Sequence, residues 1–146
     1  MDTDIDRLLT EEEAGWIGLL AALEAVPVER WEEPTVTPDG WSPKDLMYHV
    51  AAWCAECDTH LEQMRTDTLV EDGLDTDERN RRFFEVSKGM DVSSTRAELL
   101  ASRTRMREAL QKLGTITPDS EEWFQESGAI HYADHVGHLS AWQGRA

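Results

Sequence analysis

Apolar residues recur at intervals of three and four through four long stretches of this chain, the spacing of one buried helical face. From Asp4 to Val26 the stripe is Ile5, Leu8, Leu9, Trp16, Leu19, Leu20 and Leu23, with Glu11, Glu12, Glu13 and Glu24 assigned mainly to the solvated side. Pro27 ends this helix, and a loop containing Pro34, Pro38 and Gly40 runs to Trp41. The second helix has the clearest start. Ser42 can cap it, Pro43 suits the first helical position, and Asp45 can close a capping box. Leu46, His49, Val50, Trp53, Cys57, Leu61 and Met64 form its inward stripe. An acidic connection over 66–75 leads to a shorter helix from Thr76 to about Lys88, broken at Gly89. The next helix is expected from about Ser94, as its cap, to Leu113, burying Leu99, Leu100, Met106, Leu110 and Leu113 before Gly114 stops it. Residues 115–128, with Pro118, Trp123 and Phe124, read as turn-rich. The last helix spans about Ala129 to Gln143 and places His131, His135, His138, Leu139 and Trp142 near one face. Strand-like alternation is scarce, so the expected class is all-α, with main helices starting near Asp4, Ser42, Ser94 and Ala129 assembled as a bundle.

Composition narrows this further. At 146 residues, 40% hydrophobic and with six tryptophans, the chain fits one folded domain over 1–146 with a real core. No apolar stretch free of charges reaches membrane-spanning length, and the start lacks the basic and apolar segments of a leader, so a cytoplasmic protein with no membrane partner is expected. The formal charge of −16 opposes nucleic acid as a partner, since phosphate binding needs clustered Lys and Arg. The charge is uneven: residues 79–112 hold nine basic against four acidic side chains, a local +5 that leaves −21 elsewhere. That stretch reads as a solvated basic face, with docking of a small anion or a partner as the lesser reading. Cys54 and Cys57 form a Cys-x-x-Cys pair about three turns into a helix, away from the N-terminal dipole that activates redox thiols, so they read as ordinary helix residues, with a dithiol function or a second metal site as the lesser reading.

The candidate chemistry lies in the histidines. His131 and His135 are four apart, one above the other on a helical face, the geometry by which one helix offers two nitrogens to one metal ion. His49, from the second helix, can supply a third ligand and leave positions open for water or substrate, which suits a catalytic ion better than a structural one. His60 lies eleven residues beyond His49, about 16 Å along the helix, and cannot share that ion. His138, three residues after His135, can replace His131 as its partner, and all three C-terminal histidines can also be read as polar surface or satisfied core groups. Three neutral ligands leave the ion its +2 charge, able to acidify water or a thiol or to polarise a carbonyl. No residue stands out as a general base. Glu56, seven residues after His49 and about 10 Å along the axis, reads as a solvated or salt-bridged carboxylate.

Two stretches carry a family resemblance. Trp41-Ser42-Pro43-Lys44-Asp45-Leu46-Met47-Tyr48-His49-Val50-Ala51-Ala52-Trp53 and His131-Tyr132-Ala133-Asp134-His135, trailed by Leu139 and Trp142, resemble the second-helix start and the closing helix of the DinB/YfiT-like superfamily of metal-dependent enzymes. The order of the intervening segments fits as well, so the resemblance covers nearly the whole chain. Within the superfamily it is most similar to the ClbS/DfsB-type single-domain proteins, and it also resembles the N-terminal domain of mycothiol-dependent maleylpyruvate isomerases. The resemblance implies an antiparallel four-helix bundle with a divalent metal, zinc or nickel, near one end, held by His49, His131 and His135. It favours His131 over His138, because Gly137 follows His135 where the family has glycine, and leaves His138 a supporting place; by position Asp134 and His138 can both orient a ligand imidazole. It further implies a small-molecule substrate, a low-molecular-weight thiol as cosubstrate, and transfer, isomerisation or hydrolysis in detoxification. The competing classes are a non-catalytic binding or sequestration protein and a helical homo-oligomeric interaction module. A homodimer is a further expectation, because a chain this small can leave some of six tryptophans exposed.

Overall fold

The computed structural model describes residues 3–144. All regular structure among them is helical: α1 (Thr3–Glu24), a 3₁₀ turn (Val28–Arg30), α2 (Pro43–Thr66), α3 (Thr76–Ser87), α4 (Val92–Leu113), α5 (Pro118–Ser127) and α6 (Ala129–Gln143). No described helix is long and apolar enough to cross a membrane.

Local chemistry sets the boundaries. At α2 the Ser42 hydroxyl accepts from the Asp45 amide at 3.1 Å while the Asp45 carboxylate accepts from the Ser42 amide at 2.9 Å, the expected capping box. The second Asp45 oxygen accepts from the Ser87 hydroxyl at 2.6 Å, tying the end of α3 to the start of α2. The cap of α4 differs from expectation. Asp91, not Ser94, caps it, and Ser94 donates its amide to the Asp91 carboxylate at 2.7 Å. An acidic cap outcompetes the hydroxyl here because its charge also faces the positive end of the helix. The segment expected to be turn-rich contains a ten-residue helix, α5, begun by a Thr117–Ser120 capping box with Pro118 in the first turn.

Packing pairs α2 with α4 and α1 with α6. Lys44, near the start of α2, donates to the Met90 carbonyl just before α4, and Asp58 faces Arg105 further along, so these two helices run the same way. Gly15 meets Ala129, and the Arg30 guanidinium lies 3.9 Å over the Trp142 ring, so α1 and α6 also share a direction. The two pairs oppose each other, as Arg107 to the Leu9 carbonyl and Arg103 to Glu12 show. Neighbouring helices therefore do not simply alternate. The connection from α2 to α4, which includes α3, carries the chain back the length of α2, about 36 Å.

The core is built from Leu8, Trp16, Leu19, Leu46, Leu61, Leu99, Met106, Leu110, Tyr132, Leu139 and Trp142 among others. Three expectations change. Leu100 is 47% exposed, because the buried face of α4 runs through Thr95, Leu99, Ser102 and Met106 and leaves its neighbour about 100° away. Glu12, expected on the solvated side, is wholly buried. It accepts from Arg103 at 2.8 and 2.9 Å, from Arg107 at 2.6 Å and from the Tyr132 hydroxyl at 2.8 Å. The basic stretch is thus not simply a solvated face, since Arg103 and Arg107 turn inward to meet this carboxylate. Cys54 and Cys57 are both buried and unbridged, and burial pushes the Cys54 thiol up to about 12, which keeps it protonated and unreactive.

Candidate metal centre

The second turn of α2 and the first turns of α6 meet at three imidazoles. His49, His131 and His135 each offer a ring nitrogen within 4.8 Å of the others, so the group can hold a metal ion. Ring centroids stand 4.8 Å apart for His49 and His131, 5.1 Å for His49 and His135, and 4.6 Å for His131 and His135. The four-residue spacing on α6 brings the two Nε2 atoms to 2.9 Å. Trp41, at the end of the loop before α2, packs its ring 4.6 Å from His49 and also stacks on Phe84 of α3, fixing one side of the site.

Electrostatics keep these rings in the ligand form. Burial, followed by the neighbouring His131 and His135, pushes His49 down to about 2. Burial lowers His131 to about 4, with the Ser127 backbone pulling weakly the other way without closing a well-formed hydrogen bond. His135 falls to about 3, again chiefly through burial. Neutral imidazole is the metal-binding species. The Nδ1 atoms of His49 and His131 are buried without a hydrogen-bond partner. On α6 the nitrogens that converge are the two Nε2 atoms, and a donor set of neutral imidazole nitrogens suits a borderline cation such as zinc.

The other sequence candidates fall around this group. His138 Nδ1 lies 3.2 Å from His135 Nδ1, and Asp134, His135 and His138 make a second, more exposed cluster carried wholly by α6. Asp134 favours the charged form of His135. His60 is remote: its Nε2 lies 2.8 Å from Asp119 and its ring stacks on Trp123 at 4.2 Å. Glu56 is salt-bridged to Arg79 at 3.1 Å, and Arg79 also grips Asp72 at 2.6 Å.

The triad opens into a cleft of about 1200 Å³ between α2, α5, α6 and the 69–76 connection. Along α2 its lining follows His49, Trp53, Glu56 and His60, and along α5 it follows Asp119, Glu122, Trp123 and Glu126. The three tryptophans left partly exposed, Trp41, Trp53 and Trp123, all face this cleft, whereas Trp16, Trp31 and Trp142 are core. Sequence reasoning missed the α5 wall. The available signal was Thr117-Pro118-x-Ser120, a cap and first-turn proline followed by acidic and aromatic positions at i, i+3, i+4 and i+7.

No protein-family model matches the chain, and no functionally curated protein matches it. An uncharacterised protein from Escherichia coli UTI89, known from a crystal structure, is similar over 97% of this chain and 93% of its own, with a TM-score of 0.82 at 14% identity. At that identity the likeness establishes the fold alone.

Proposed function

We propose that α1, α2, α4 and α6 form a four-helix bundle of the DinB/YfiT-like type, and that the protein is a divalent-metal-dependent enzyme acting on small molecules. The observation that carries this reading is the convergence of His49, His131 and His135, neutral and largely withdrawn from solvent, on the wall of a large cleft. Zinc or nickel suits a site of imidazole nitrogens. Such an ion, when bound, would supply Lewis acidity and lower the pKa of water or a thiol. The chain's own residues bind and position. His131 and His135 present paired nitrogens from one rigid helix, and His49 approaches from α2. Trp41 shields His49 from solvent, and His138, in contact with His135 Nδ1, fixes that ring's orientation. Transfer, isomerisation or hydrolysis in detoxification, with a low-molecular-weight thiol as cosubstrate, is the activity proposed.

Elemental analysis of protein purified without a histidine tag tests this. About one zinc or nickel per chain is expected, lost in His49→Ala, His131→Ala and His135→Ala and retained in His60→Ala. His138→Ala should weaken binding less. Loss in His135→Ala and His138→Ala with His131→Ala unaffected would move the site onto the exposed α6 cluster.

A further inference from the structure

We propose that the cleft accepts a ligand carrying an organic cation, seated on the Trp53–Trp123 floor beside Glu122 and Glu126; only the placement of a metal-binding head at its other end rests on the metal reading above. The volume, about 1200 Å³, exceeds what a compact ligand needs. The cleft also changes character along its length. His49 and His60 both line it, eleven residues apart on α2 and so about 16 Å along the helix, and the aromatic and acidic stretch begins one turn, about 6 Å, beyond His49 at Trp53.

On this stretch Trp53 and Trp123 meet with ring centroids 6.3 Å apart. The Trp53 indole donates to Asn80 at 2.8 Å and packs edge-on against Phe83, so its plane is fixed before any ligand arrives. Trp123 is held by His60, itself anchored to Asp119. Around this floor the charges are one-sided. Arg79 is the one Lys or Arg among the lining residues, and Glu56 and Asp72 already neutralise it. Glu122 and Glu126 stand four apart on α5, flank Trp123, and make no ion pair or hydrogen bond among the described residues. Like charges at that spacing repel each other on a helix, and a cation between them relieves the repulsion. A positive group over an indole face gains cation–π attraction in addition, while a carboxylate or phosphate there meets only repulsion. An ammonium or similar cation is the tail this chemistry selects.

Matched probes of equal length separate the alternatives: 4-phenylbutylamine, 4-phenylbutanol and 4-phenylbutyrate, titrated by tryptophan fluorescence and calorimetry into metal-free and zinc-loaded protein. In the metal-free protein the amine is expected to bind tightest, the alcohol more weakly and the acid weakest. The Glu122→Gln/Glu126→Gln double variant, whose positions are exposed, should keep the fold by circular dichroism and weaken the amine about tenfold. Equal binding of acid and amine, or no loss in the double variant, would overturn the proposal. Amine binding in a protein that takes up no zinc would sink the metal reading and leave the cation site standing. Zinc uptake without amine preference would do the reverse.

Discussion

A carboxylate with no solvent contact must be matched atom by atom, and Glu12 is matched by two guanidinium groups and a phenol drawn from α4 and α6. Burial holds the Tyr132 phenol protonated, so it can only donate to Glu12, and the Arg103 guanidinium also lies 4.5 Å over the Trp16 ring. Glu12→Ala is therefore expected to cost about 3–5 kcal/mol in urea unfolding, because it leaves buried charge and a buried hydroxyl unmatched. Glu12→Gln, which keeps the size and one acceptor, should cost less. A loss within the range of exposed Glu24→Ala would show that the network contributes nothing. Nothing local distinguished Glu12 in the sequence. It stands in a run of three glutamates, and its partners lie 91, 95 and 120 positions away. The histidine group was legible for the opposite reason. Helical spacing fixes His131 against His135, and the capping box that starts α2 fixes the depth of His49, so two local rules sufficed to point three rings inward. Which of His131 and His138 pairs with His135 could not be settled by spacing, since i+3 and i+4 both fit a helix. In three dimensions the groups differ in their third member: buried His49 from α2 completes the one with His131, and exposed Asp134 completes the one with His138.

At the scale of elements, the junction between α5 and α6 is where one atom matters most. A Cβ on Gly128 would lie 2.9 Å from the Phe124 carbonyl oxygen and 3.3 Å from Glu12 Cγ, and the nearer contact is backbone that cannot swing aside. Gly128→Ala is expected to cost about 1–3 kcal/mol and, by shifting the start of α6, to weaken metal binding at His131 and His135. Gly137→Ala is the contrast. Its Cβ would meet nothing within 4 Å, and alanine in a helix interior gains up to about 1 kcal/mol over glycine. Paired urea titrations and zinc titrations check both, and equal behaviour of the two variants would remove the steric argument. The longer helices were legible because their apolar stripes run for several turns and end at Pro27, Gly89 and Gly114. The missed helix, α5, is ten residues with Phe124 as its one buried apolar side chain, too short for periodicity to emerge. Helix direction was not legible either. It depends on the connections, and on long-range contacts such as Arg30 with Trp142 that no local pattern encodes.

For the whole molecule, the three clustered histidines couple folding to acidity. Each has a folded-state value, about 2, 4 and 3 for His49, His131 and His135, below the ordinary histidine range. In the unfolded chain each titrates near the ordinary histidine value, about 6.5. Below that pH the unfolded state binds protons that the folded state refuses, so stability is fully present above about 6.5 and is lost as pH falls toward the folded values. At pH about 5 each such group costs about 2 kcal/mol, a large share together of the roughly 5–15 kcal/mol that holds a typical domain folded. The formal charge of −16 works the other way, since protonating carboxylates relieves self-repulsion, but exposed carboxylates titrate mostly below this window. Metal-free protein should therefore lose stability between pH about 7 and about 5, and zinc, which binds the neutral rings of the folded state alone, should restore it. Urea unfolding of the wild type and of a His49→Asn/His131→Asn/His135→Asn variant across that range is the check. The wild-type curve should slope downward with acid and the variant's should be flatter. Parallel curves would mean that the three rings are not held neutral by the fold.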